Sequence, residues 1–362
     1  MIAADRGYVF SLGQRSGICS RPLQPTAFNA PPGNIALSED GKTIAFVEHL
    51  APPRCGEDRI VILRGGRRTI VSRPDEKSKG GDAQTYWISR LRVLRTGNLL
   101  ATVEDDYSGA IIGAIEQTYE TSTSGWKAVP DPFPIRSSVA GGSTLKRNVE
   151  LGDARGGAIA VNSDIRNYNS VDFIAAQKDP SVDARQAVLV EYGHATLLGD
   201  GVVTSINSGH AVGYVANLYY KGGATTSVLW QGSRRTQLGT GIAFGVDDRG
   251  NIVGDDRARL TDMGRPVLWR RGKQAATIAA ATGSAFAVRD GTIVGAIQGT
   301  AFVARINKTG FSLRGLPDAL RGRWTKSAAF AIAASGRILA LAVDRDGAAA
   351  LFVLDNQERQ RN

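Results

Sequence analysis

Three stretches of this chain, INSGHAVGYV (206–215), VDDRGNIVGD (246–255) and AVRDGTIVGA (287–296), set a glycine after their second apolar pair, at Gly213, Gly254 and Gly295. The intervals are 254 − 213 = 41 and 295 − 254 = 41 residues. An equal spacing near ~40–45 residues is the period expected of propeller blades. Each copy continues through a variable loop into a second pair of runs, SVLWQGSRRTQL (227–238), PVLWRRGKQAATI (266–278) or AFVARINKTGFSL (301–313). One unit therefore holds four short β-like runs, a to d, joined by turns rich in Gly, Asp and Asn. No run has the length of a typical helix, and no heptad pattern appears.

Weaker copies lie on both sides. SAAFAIAASGRILALAVDRDGAAALFVLD (327–355) supplies a, b and c, while NIALSEDGKTIAFVE, LRVLRTGNLLATVEDD and GAIAVNSDIRNYNSVDFIAA open earlier units. About seven units result. The last lacks its fourth run, and GYVFSLGQRSGICSRPL (7–23) is a strand-like segment left over at the start. A ring accounts for both, with the N-terminal segment, taken within residues 1–30, completing the last blade and removing exposed sheet edges. The expected fold is all-β, one roughly seven-bladed propeller over 1–362, with an eight-bladed ring or open solenoid as alternatives. Residues 130–157, rich in Pro, Gly and Ser, are expected to be a long inserted loop.

Composition agrees with this reading. Of 362 residues, 42% are hydrophobic and only 7% aromatic, with 43 glycines, a balance that suits many tight turns around a sizeable core. The net charge of +10 is spread along the chain, and no basic run interleaves with aromatics, so a nucleic-acid partner is not expected. No stretch reaches the ~18 apolar residues of a membrane span, and MIAADRGYVF has no signal-peptide pattern. Cys19 and Cys55 are the only cysteines, compatible with one disulfide or with two buried thiols.

GHAVGYV, TAFVARI and SAFAVRDGTIVGA, with VLWQGSRRTQLG, resemble the bacterial HAF-type extracellular repeats, and IALSEDGKTIAFVE is similar to the Tol-system and WD-like propellers. The resemblance covers 202–356 and, more loosely, 35–74; a full His-Ala-Phe is missing, with Gly209-His210-Ala211-Val212 approaching it. It implies a bacterial extracellular or periplasmic propeller, and it carries over no catalytic residue.

The a–b turns (SEDGK, RTGN, DDRGN, RDGT, ASGR) and c–d turns (GGRR, GSRR, RGK, NKTG) are minimal. The b–c and d–a connections, at the other end of each blade, are long and varied, so the working face is expected there. Arg136, Lys146, Arg147, Arg257, Arg259, Arg321 and Arg323 are candidates for an anionic ligand, whose carboxylate or sulfate the guanidinium fork matches, with Trp324 as a contact residue. Glu104, Asp106 and Asp256 at b–c loop starts, with Tyr107, are the candidates for glycoside cleavage. His49, His194 and His210 fall in different units, so no metal site is expected, and no cofactor motif is present. Trp230 and Trp269 recur in register and read as blade packing. The favoured function is a non-catalytic binding or scaffold propeller offering a basic face to a polysaccharide or protein. The alternative is a polysaccharide hydrolase or lyase.

Overall fold

The computed structural model describes residues 2–10, 28, 30–48, 59–72, 85–106, 115–122, 125–129, 146–166, 185–216, 224–270, 273–307, 310–314, 323–345 and 349–356. They form seven four-stranded antiparallel sheets, a seven-bladed β-propeller. Blades 1 to 6 take consecutive strands: β2–β5 (35–72), β6–β9 (85–128), β10–β13 (146–200), β14–β17 (202–240), β18–β21 (242–277) and β22–β25 (283–314). Blade 7 is built from β26 (Trp324–Ile332), β27 (Ile338–Asp344) and β28 (Ala349–Asn356), with β1 (Ile2–Phe10) as its outermost strand. The ring is thus closed by the N-terminal segment, in the register Ile2 to Asn356 through Phe10 to Ala349. The closing strand begins five residues earlier than the run at 7–23 suggested, and residues 11–27 lie outside the described residues. No described helix is long and apolar enough to cross a membrane.

Burial falls from the axis outward. In β18 (Ile242–Val246) every residue is buried, and in β19 (Asn251–Asp255) all but the first are, because neighbouring blades cover both faces of the sheet. The outer strands β5 (Arg67–Ser72) and β17 (Arg234–Thr240) are largely exposed and start with arginine pairs, Arg67-Arg68 and Arg234-Arg235. Charge on an outer edge discourages pairing with a second sheet. Part of the positive surplus is accounted for in this way. Trp230 on β16 (Thr226–Gln231) packs among Ala160, Ala187, Val203 and Ile206, sealing blade 4 against blade 3. Trp269 on β20 (Pro266–Arg270) packs among Val212, Leu229, Ala243 and Ile252, sealing blade 5 against blade 4.

The repeated glycine has a steric cause. Gly213, Gly254 and Gly295 pair with Val203, Ala243 and Ala285, each the residue just before a β-bulge in the inner strand. A Cβ on any of them would run into the carbonyl of the residue before it, that of Val202, Ile242 or Ser284. The bulged residues themselves are Thr204, Phe244 and Phe286, and all three line the central cavity. A bulge re-aims one side chain out of the ladder.

The expected loop at 130–157 is corrected in its last third, since β10 (Lys146–Arg155) is the inner strand of blade 3 and pairs with β11 (Ala158–Arg166). Its sequence, KRNVELGDAR, lacks apolar alternation because Glu150 and Asp153 are used in ion pairs with Arg90 and Arg92 of blade 2. Residues 130–145 lie outside the described residues.

Candidate functional site

The seven inner strands surround an axial channel, and residues from all seven line a cavity of about 250 Å3. Its waist is aromatic. Phe244 and Phe286 meet edge to face with ring centroids 5.7 Å apart, and Phe330, at the corresponding bulge of blade 7, stands in the same wall. Polar groups gather at the two ends.

At the loop-rich end, Glu150 is buried between two arginines. Arg90 Nε donates to its Oε1 at 2.9 Å and Arg185 Nη1 to its Oε2 at 2.6 Å. Burial raises the Glu150 pKa, but the charges and hydrogen bonds of Arg90 and Arg185 outweigh it and hold the carboxylate below its ordinary range. Tyr214, on β15 (His210–Val215), lies close to this group, and burial pushes its phenol up against the opposing pull of Arg185. One blade further, Arg257 Nε and Nη2 donate to Asp255 Oδ1 and Oδ2 at 2.8 and 2.5 Å, and Ser284 Oγ donates to Asp255 Oδ2 at 2.6 Å. The Arg257 guanidinium also sits 5.7 Å from the Phe244 ring centroid.

The structure places the residues singled out in the sequence as follows. Arg257 is 5% exposed and turned inward to Asp255, so it is part of the blade rather than of a surface. Asp256 is held by Arg265, whose backbone N donates to Oδ1 at 2.6 Å and whose Nε and Nη2 donate to Oδ2 at 2.9 and 2.6 Å. Arg259 sits in the same loop, where its residue bridges Ala224. Arg323 pairs with Asp344 Oδ2 at 2.9 Å, stays 60% exposed, and lies 5.0 Å from the Trp324 ring centroid. Trp324 in turn meets Phe352 edge to face at 5.6 Å. Glu104 and Asp106 end the strand β7 (Leu99–Asp106) of blade 2, three blades round the ring from Asp256 in blade 5. Arg147 is on β10, while Tyr107, Arg136, Arg321, Cys19, Cys55 and His49 lie outside the described residues. Among the described residues no group of His, Cys, Asp and Glu is arranged to hold a metal ion.

At the tight-turn end, sequence reasoning looked past a second cluster. The axial cavity adjoins another of about 290 Å3, and Glu39, Arg155, Gly156 and Arg289 belong to both walls. Glu39 comes from the a–b turn of blade 1, Arg155 from blade 3, Asp248 from blade 5 and Arg289 from blade 6, so the group spans the axis. Arg155 Nε and Arg289 Nη2 lie 3.7 and 3.5 Å from the same Glu39 Oε1. Asp248 accepts from Ser208 Oγ at 2.8 Å, and that bond first, then the charges of Arg155 and Arg289, keeps its pKa low despite burial.

A signal for this cluster exists in the sequence. Each a–b turn carries a glycine with positive φ, at 41, 97, 157, 209, 250, 291 and 336, between +72° and +92°. Two residues before them stand Glu39, Arg95, Arg155, Asn207, Asp248, Arg289 and Ala334, and all but the last line one of the two cavities.

No family model matches this chain, and no curated protein does either. Among solved structures it is similar to the β-propeller domain of the Trilobed protease from Pyrococcus furiosus, described as having an open velcro topology. That likeness has 10% identity and a TM-score of 0.53, over 90% of this chain and 96% of that one. An acylaminoacyl peptidase in complex with a chloromethyl ketone matches at 11% identity and a TM-score of 0.54, over 89% of this chain. The chain spans 51% of that peptidase's length. At such identities the likeness shows the seven-bladed fold alone.

Proposed function

We propose that this chain is a non-catalytic, extracytoplasmic binding propeller whose loop-rich face takes an acidic polysaccharide. The observation that carries the reading is the state of the charged groups described on that face. Asp255, Asp256 and Asp344 are each spent in an arginine pair, and Arg323, although its Nε and Nη2 donate to Asp344, remains 60% exposed on the Trp324 ring. An exposed guanidinium against an indole offers a sugar carboxylate or sulfate a charge-assisted hydrogen bond, and offers the ring a flat apolar partner. The net charge of +10 adds long-range attraction for a polyanion.

The glycosidase reading needs two carboxylates facing one bond, about 5–9.5 Å apart. Asp256 already accepts three hydrogen bonds from Arg265, and Glu104 and Asp106 end a strand three blades away. Neither condition favours that chemistry. The test is size-resolved chromatography of heparin and alginate after incubation with the protein. Co-elution that weakens with salt and falls with Arg323→Ala or Trp324→Ala supports binding. Shortened chains would replace it with the enzyme reading, and absence of both would direct attention to a protein partner.

A further inference from the structure

We propose that the tight-turn mouth of the channel is a separate binding site for a small oxyanion, a phosphate or a short dicarboxylate, gripped between Arg155 and Arg289. The two guanidiniums reach the axis from blades 3 and 6, with side-chain exposures of 20% and 14%. Their shared partner is one oxygen of Glu39, at 3.7 and 3.5 Å. Those are ion-pair separations; a hydrogen bond to carboxylate is shorter, about 2.7–2.9 Å. Among the described residues neither side chain makes a hydrogen bond, so the fork donors of both are held toward the cavity without an acceptor at bonding distance.

This is an unusual arrangement for half-buried cations. Burial, then the charge of Arg289, depresses the Arg155 pKa, with Asp248, Glu39 and Asp153 opposing. Like charges are brought together where solvent is partly excluded, and the available acids do not satisfy them. Asp248 is engaged by Ser208, and Glu39 is divided between two cations. An anion with two or three oxygens would supply what one shared carboxylate oxygen does not, and Glu39 marks the place it would take. The adjoining space of about 290 Å3 is at the lower limit of small-ligand sites. Its wall offers a further donor in His210, whose buried Nδ1 has no hydrogen-bond partner while its Nε2 lies 3.0 Å from Gln231 Nε2. A small anion matches that volume.

The site is independent of the loop-rich face, and its test uses no polysaccharide. Calorimetric titration of the whole protein with inorganic phosphate and with succinate, at ionic strength fixed by sodium chloride, reads it directly. Saturable binding of at least one of the two is expected, and which one binds separates phosphate from dicarboxylate. Arg289→Gln and Arg155→Gln should each weaken binding by about tenfold or more, the scale of losing a charge-assisted contact. Glu39→Gln should strengthen it several-fold, because the internal competitor loses its charge. That variant keeps side-chain size, so its effect does not depend on tolerating a lost cation. No saturable binding by either the natural protein or Glu39→Gln would overturn the proposal, as would binding that Glu39→Gln weakens or that both arginine variants leave unchanged.

Discussion

Replacing Gly254 with alanine tests whether the 41-residue glycine is imposed by close backbone approach. Its φ is not left-handed, so alanine faces no backbone penalty there; the obstacle is space. An added Cβ would stand 2.9 Å from Ala243 Cα and from the Ile242 carbonyl carbon, and nearer still to that carbonyl oxygen. The carbonyl oxygen sets the demand: a carbon normally sits about 3.3 Å or more from it, so β18 and β19 must part by roughly 1 Å or more where the ladder already bends at its bulge. Blade 7 carries Ala340 opposite Ala329 at the matching place, so a ladder can form with alanine; the cost is local repacking, about 3 kcal/mol, near the top of the usual overpacking range. Gly232 is the contrasting control. It has φ +58° and open space around its missing Cβ, so alanine there pays only left-handed backbone strain, about 1 kcal/mol. Urea unfolding of both variants measures the difference, and the midpoint shift at Gly254 should be about three times that at Gly232 with unchanged m. Gly232→Asn should be milder than Gly232→Ala, because asparagine tolerates that backbone region. Equal shifts at 254 and 232 would refute the close-approach argument.

Three further outcomes follow from the buried charges and the ring closure. Asp255→Asn should cost about 3–5 kcal/mol, because it leaves Arg257 charged and 5% exposed without its partner, whereas Asp255→Leu with Arg257→Met should recover most of the loss; a thermal melt of the double variant no better than the single would contradict this. Glu150 has a folded pKa below its unfolded one, so its contribution is complete above the unfolded value and disappears as pH falls through the folded value. Glu150→Gln should therefore be less stable at pH 7 and show a flatter loss of stability on acidification, and a urea midpoint that falls as steeply as in the natural protein would exclude the linkage. Removing residues 2–10 should expose the β28 edge, lower the melting temperature and produce oligomers on size exclusion, while a monomer of unchanged stability would show that β1 does not hold the ring.

The architecture was readable because its signals come from constraints that recur in each blade. Gly213, Gly254 and Gly295 face a bulge that leaves no room for a Cβ, and Trp230 and Trp269 fill the same interblade seam one period apart. Blade 3 was harder, since β10 carries Glu150 and Asp153, which pair with Arg90 and Arg92 of blade 2, in a strand whose apolar residues are few. The Ala-Phe pair at 285–286 was visible in the resemblance, yet its cause was not, nor its match to the pairs at 243–244 and 329–330: the alanine stays in the ladder and the bulge turns the phenylalanine to the axis. For the site, loop length was a sound guide to variability but a poor one to proximity. Arg257 lies in a long connection and points into the blade, to an aspartate two residues earlier. Arg155 and Arg289 lie beside minimal turns and face the channel.

A minimal turn has too few residues to form a site alone, but a ring brings seven of them to one axis. If the blades were faithful copies, the position two residues before each turn glycine would crowd seven like side chains around the channel mouth. A charged residue there would then repel itself across the axis at short range. The chain instead reads Glu, Arg, Arg, Asn, Asp, Arg and Ala round the ring, three cations against two anions, 3 − 2 = +1. This mixture lets the mouth close on itself through Glu39 while keeping a cationic surplus for an incoming anion. In a repeat protein the frame is what recurs, and specificity has to be written where recurrence stops. By that criterion the axis-facing turn position, as much as the long connections of the opposite face, is where variation in this chain carries chemical meaning.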